Sequence, residues 1–155
     1  MARAIPITEV EERSSTTYPA PFRAAVAGRR ARRLGDAFGL TQFGVNLVRL
    51  APGAASALRH AHAVEDELVL VLEGTLTLIT NDGEQQVGPG MVVGFPGGTG
   101  DAHHLVNRSD ADGLFLVVGS KAASPETVTY PDVDLHLVTE ADGTRRFLHR
   151  DGTPW

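Results

Sequence analysis

His60-Ala61-His62, with Glu67 five residues beyond, gathers three side chains that can bind a metal. In a strand, alternate side chains share a face, so His60 and His62 stand side by side. Ala63 to Asp66 has the length of a short hairpin loop. The chain then returns as Glu67-Leu68-Val69-Leu70-Val71-Leu72, and an antiparallel return sets Glu67 beside His62. Two imidazoles and a carboxylate in one small volume are ligands for a borderline divalent metal such as Zn, Fe, Mn, Ni or Cu. The plainer readings are ordinary core or surface histidines and an exposed hairpin acid. Against them, a carboxylate that opens a run of Leu and Val is costly to bury unless a partner or a cation meets it. The joint spacing favours ligation.

Short strands must position these residues. Thr41 to Leu50 is rich in β-formers and ends at the turn Pro52-Gly53. Ala57 to His62 reads as the next strand, with Leu58, His60 and His62 on one face and Arg59 on the other. Glu67 to Leu72 is apolar on both faces, so both must be covered. Val69 and Val71 share the face of Glu67, and Leu68, Leu70 and Leu72 point the other way. Thr75 to Thr80 alternates, and Asn81-Asp82-Gly83 signals a hairpin. Met91 to Phe95, His103 to Val106 and Leu114 to Val118 complete the set. The glycine-rich stretch from Pro96 to Ala102 reads as a rim loop. Turns at this spacing mean an all-β sandwich or barrel. Residues 1–33, broken by Pro6, Pro19 and Pro21, read as an irregular extension. Residues 34–120 read as the barrel. Residues 121–155 read as a tail wrapping it, with strands near 133–138 and 145–149. Four arginines fall between Gly28 and Arg33. A solvated segment or a set of ion-pair partners is favoured there over a phosphate or nucleic-acid patch.

Composition bounds the rest. The chain has 155 residues, 42% of them hydrophobic, enough for one domain with a true core. It has no cysteine, which excludes disulfides and thiolate metal sites. A net charge of −5 argues against general nucleic-acid binding. Neither a secretion signal nor an apolar run of the ~18 residues that a membrane span needs is visible. A cytoplasmic protein is expected.

Two groups of residues resemble the motifs of a known family. Gly53, His60-Ala61-His62, Glu67 and Gly74 form the first. Gly90, Pro96, Gly98, His103 and Asn107 form the second. They resemble the cupin superfamily, in particular small single-domain bacterial cupins, some of which carry a loose sugar-phosphate-isomerase label. The Gly53-to-His60 gap is one residue longer than the common form, and Gly98-to-His103 is two longer. The resemblance implies a double-stranded β-helix, or jelly-roll barrel. It also implies His103 as a fourth ligand beside His60, His62 and Glu67, with adjacent His104 as the alternative. His136 and His149 are not expected to be ligands, and Asn107 reads as a turn residue rather than a catalytic one. A divalent ion (Zn, Mn, Fe or Ni) held by three histidines and a glutamate keeps two octahedral positions open. An α-hydroxy ketone, keto acid or diol fits them, which suits an isomerase or tautomerase. A dioxygenase and a non-catalytic or regulatory binder of a sugar or carboxylate are the alternatives. Gln42, Asn46 and Asp101 are candidates for the base. The outward leucines need a cover, either the chain's own tail or a second copy; the expectation is a homodimer.

Overall fold

The structure is a computed structural model that describes residues 3–121 and 125–155. Residues 122–124, at the expected boundary between barrel and tail, lie outside the described residues. The strands are β1 (Glu12–Arg13), β2 (Arg29–Arg33), β3 (Phe43–Leu50), β4 (Ala61–His62), β5 (Glu67–Glu73), β6 (Leu76–Thr80) and β7 (Gly83–Val87), followed by β8 (Val92–Phe95), β9 (His104–Val106), β10 (Gly113–Ser120), β11 (Glu126–Tyr130), β12 (Leu135–Thr139) and β13 (Arg145–Leu148). One turn of helix, α1 (Leu34–Ala37), and two 3-10 segments, Ile7–Glu9 and Ala20–Val26, are the other regular elements described. The chain is all-β.

Three antiparallel sheets form. The largest runs β1-β2-β3-β10-β5-β8, the second β7-β6-β9 and the third β13-β12-β11-β4. Alternation in the largest sheet turns Val48, Leu50, Val69, Val71 and Phe115 inward. There they meet Leu76, Leu78 and Leu105 of the second sheet. Burying a Val, Leu or Phe contributes about 1.5–3 kcal/mol each, so this inner layer holds the barrel shut. The hairpin signal at Asn81-Asp82-Gly83 is realised, with Thr80 paired to Gly83.

Several expectations change. The segment 1–33 is not simply irregular: β2 pairs with β3 along five residues, Arg29↔Leu50 to Arg33↔Asn46. Its prolines exclude helix, not strand, and Arg29 to Arg33 contains none. The barrel sheet therefore begins before residue 34. The tail also carries more order than expected. Val128, Tyr130, Leu135 and Leu137 form a second core, against which Tyr18, Phe22, Leu58 and Phe147 pack. Tyr18 from the N-terminal segment meets Tyr130 edge-on at 5.8 Å and accepts the Leu58 N–H.

The expected hairpin between Ala57–His62 and β5 does not form. Only Ala61–His62 is strand, and β4 pairs with β11 (His62↔Val128) while β5 lies in the largest sheet. The turn at 63–66 thus crosses between sheets. It is packed tightly: a Cβ on Gly97 would lie 2.3 Å from the Val64 carbonyl oxygen, so only glycine fits there. The Gly97 N–H donates to Asp66 Oδ1 (2.9 Å) and the Gly98 N–H to the His62 carbonyl (2.9 Å). The glycine-rich loop is a brace for the turn.

Candidate metal centre

His60 leads into β4 and faces His103 across an isolated bridge. The His60 N–H donates to the His103 carbonyl at 3.1 Å and the reverse bond is 2.8 Å. Glu67 opens β5 on the opposite wall. Ligand atoms of His60, His62 and Glu67 all lie within 4.8 Å of one another. His103 reaches the group through Glu67, with Nε2 3.4 Å from Oε1, and its ring lies 5.1 Å from that of His60. Proximity of Glu67 and His62 (Oε2 to Nε2, 3.9 Å) comes from the crossing between sheets, not from a hairpin.

The outer ring nitrogens are occupied. His60 Nδ1–H donates to the Leu58 carbonyl (2.8 Å) and His103 Nδ1–H to the Asp101 carbonyl (3.1 Å). These tautomers follow from the acceptors beside them. A neutral imidazole that donates from Nδ1 carries a lone pair on Nε2. The His103 ring is further fixed by stacking on Phe95, centroids 3.4 Å apart. Among the described residues, buried His62 Nδ1 has no hydrogen-bond partner; it lies 3.8 Å from Glu65 Oε2 and 3.9 Å from Glu126 Oε1. Burial pushes the His60 imidazole down to about 4; His103 and His62 add to this, and Glu67 and the Leu58 carbonyl oppose it. Burial works to raise the Glu67 carboxyl, but the neighbouring imidazoles of His103, His60 and His62 outweigh it and hold it below its usual range.

Two cavities meet at this group. An inner one of about 170 Å³ is bounded by His60, Glu67, His103, Asn46 and Arg29. A mouth of about 410 Å³ reaches His62, Glu65 and Glu67, again with Asn46 and Arg29 in its wall.

A solved structure described as a sugar phosphate isomerase of the cupin superfamily, from Silicibacter pomeroyi DSS-3, is 45% identical, with 99% of this chain and 96% of that one covered at a TM-score of 0.92. The chain belongs to the cupin superfamily. The cupin domain model matches residues 46–119. A candidate sugar phosphate isomerase from Acidithiobacillus ferrooxidans shares 31% identity over 82% of this cupin and 80% of its own chain, TM-score 0.73. A polyketide cyclase from Streptomyces resistomycificus shares 25% over 77% and 80%, TM-score 0.64. No curated protein matches by sequence.

The geometry around this cupin's site keeps most residue readings and changes those of Gln42 and Asp101. His103 turns toward Glu67, and neighbouring His104 donates from Nδ1 to the Ala57 carbonyl (2.9 Å). Of the suggested bases, Asn46 lines both cavities. Gln42 instead lies on an outer groove beside Phe43 and Leu68, and the Asp101 carboxylate accepts the Asn81 N–H (3.0 Å). Asn107 is fully buried, and its amide donates to the Leu50 and Ala111 carbonyls. It staples the turn. Arg59 faces away from the histidines and joins Asp132 and Asn81.

Glu126 was not visible as a site residue. It is buried, and its carboxylate accepts three backbone N–H groups of the crossing turn, from Ala63 (2.8 Å), Val64 (3.0 Å) and Glu65 (2.7 Å). One sequence signal exists: Glu126, Val128 and Tyr130 alternate, which puts an acid on the apolar face of a strand.

Proposed function

We infer that this cupin holds a divalent metal ion through His60, His62, Glu67 and His103 and works as an isomerase or tautomerase on a small oxygen-rich molecule. One observation carries the reading. The Nδ1 protons of His60 and His103 are committed to carbonyls, so their Nε2 lone pairs and the Glu67 carboxylate are acceptors turned toward one another. A cation reconciles such a group, and the donors suit a divalent one. When bound, it supplies a Lewis acid that polarises a substrate oxygen. The chain's own residues do the rest. Glu65, in the mouth beside His62, is placed to take a proton from substrate carbon and return it. Asn46 offers an amide to orient a substrate oxygen, and Phe115 and Val117 keep the inner end apolar. A wall with this many charged groups favours proton transfer over oxygen chemistry. The isomerase descriptions of the two bacterial relatives point the same way.

Metal-loaded protein in D2O with dihydroxyacetone, fructose or fructose 6-phosphate tests this. NMR should show deuterium entering the carbon next to the carbonyl in at least one of them, and His60→Ala should abolish it. Oxygen uptake without exchange would move the assignment to a dioxygenase. Saturable binding with neither would leave a binding protein.

A homodimer belongs to the same reading. Leu68 and Leu72 on β5 are 44% and 39% exposed, and neighbouring Val92 is 62% exposed. Leu116 and Val118 of β10 pair with Leu70 and Leu68, which extends one apolar face across three strands. The tail is committed to the third sheet with β4, so it does not cover this face. A face of this kind is rare on soluble monomers. A second copy on a twofold axis covers it with its own equal, burying above ~1,000 Å². Light scattering should give about twice the 16.5 kDa chain mass. Leu70→Glu should return it to the single-chain value with the fold kept. A wild-type mass of one chain at high concentration would rule the dimer out.

A further inference from the structure

We propose that the mouth of the barrel is a subsite for a phosphate monoester, with Arg29 as its innermost contact. It names the substrate class of the site inferred above and rests on that inference for the catalytic role of the other end.

Strand alternation carries the argument. The arginine run before α1 lies in β2, so its members divide between two faces. Arg30 and Arg32 turn outward and meet Glu12 at 3.9 and 3.4 Å. Arg29 and Arg33 turn into the mouth with Ala31 between them. Arg13 from β1, Arg145 from β13 and Lys121 after β10 reach the same space. The mouth's acids are largely committed. Glu126 is bound to three backbone N–H groups and Glu67 faces the histidines. Asp36 is shared between Arg33 (3.8 Å) and Lys121 (3.7 Å). Among the described residues, neither Arg29 nor Arg145 has a carboxylate within 4.0 Å.

Arg29 is the telling member. Its Nε is buried and has no hydrogen-bond partner among the described residues. Burial draws its pKa below the usual guanidinium value; Tyr18 and Glu67 oppose this and Arg33 adds to it. The group stays charged at neutral pH. A desolvated cation with no partner is costly, and an anion that enters repays that cost. Phosphate suits the ring better than a carboxylate does. It brings about −1.5 to −2 charge and three acceptor oxygens, which guanidinium forks bind in pairs. Arg29 and Glu67 wall both cavities, so a ligand held at the phosphate by Arg29 extends its carbon chain toward His60 and His103.

Calorimetric titration of the metal-loaded full chain tests this with inorganic phosphate, fructose 6-phosphate, fructose and gluconate as probes. Inorganic phosphate and fructose 6-phosphate should bind saturably and compete with each other, and fructose should not bind at the same concentrations. Arg29→Met should weaken both by about tenfold or more, the equivalent of one charge-assisted hydrogen bond. Arg30→Met, on the outward face of the same strand, should change little. Should Arg29→Met fail to fold, Arg145→Met reads the same ring, with a loss of severalfold expected. His60→Ala should leave phosphate binding in place even as it removes the metal. That variant separates the two ideas: phosphate binding to a wild-type chain that takes up no divalent metal would sink the metal reading and keep the subsite. Absent phosphate binding in wild type, tighter binding of gluconate, or equal losses in Arg30→Met and Arg29→Met would overturn the subsite.

Discussion

Glu126→Ala is expected to be the most damaging single change in this cupin away from the metal ligands. The Glu126 carboxylate is 3% exposed and takes the N–H groups of Ala63, Val64 and Glu65. Removing it leaves the Val64 and Glu65 N–H groups without that acceptor, while the Ala63 N–H keeps its second one, the Thr127 carbonyl (3.0 Å). Each unsatisfied buried donor costs about 1–3 kcal/mol, and neighbours do not add fully, so a loss of about 2–4 kcal/mol is expected. The same carboxylate stands 3.9 Å from His62 Nδ1. Outer-shell carboxylates of this kind orient ligand imidazoles, and their loss costs about 10–100-fold in metal affinity. Glu126→Gln keeps one acceptor oxygen and should lose roughly half the stability effect. Urea unfolding and a chelator competition read the two consequences separately. A stability loss below ~1 kcal/mol for Glu126→Ala would show that water serves the Val64 and Glu65 N–H groups as well as the carboxylate does.

The second large effect is the coupling of metal to stability. An ion that binds the folded chain alone stabilises it by mass action, by about 2.7 kcal/mol at a hundredfold excess over its dissociation constant. At roughly 2–4 °C per kcal/mol for a chain of this size, chelation should lower the melting temperature by ~5–10 °C. His60→Ala should start lower and be indifferent to chelator. Val64→Ala, in the same turn but with no donor atom, should keep the full sensitivity. Elemental analysis of protein purified without added metal identifies the ion. A metal-loaded sample whose melting does not move on chelation would falsify the coupling.

How far the sequence carried varied with the kind of signal. His60, His62 and Glu67 could be paired because strand alternation and the acid ahead of a Leu-Val run are local patterns. The reason given for their meeting was wrong, because β4 is only two residues long and joins the third sheet. Nothing local in Ala57–His62 reveals that its partner is a strand more than sixty residues later. Glu126 escaped for the same reason, since its three acceptor contacts are all long-range. The outward leucines were legible and proved uncovered, yet the coverage depended on where the tail went. The arginine run reads correctly as ion-pair partners at Arg30, Arg32 and Arg33; what its sequence does not reveal is that it is a strand, whose alternation sends Arg29 and Arg33 one way and Arg30 and Arg32 the other.

The position of β2 has a consequence for how such a barrel can change its chemistry. His60, His62, Glu67 and His103 all fall inside the region 46–119 that the cupin domain model matches. Arg13, Arg29, Arg33, Lys121 and Arg145, which surround the mouth, all fall outside it. On the proposed reading, the metal end and the phosphate end are thus encoded in separable pieces of chain. Exchanging the segments that flank the domain would then re-address the barrel to another substrate while His60, His62, Glu67 and His103 stay untouched. The exchange has one constraint: whatever replaces β2 must still cap the edge of β3, because a bare edge strand invites pairing with other chains.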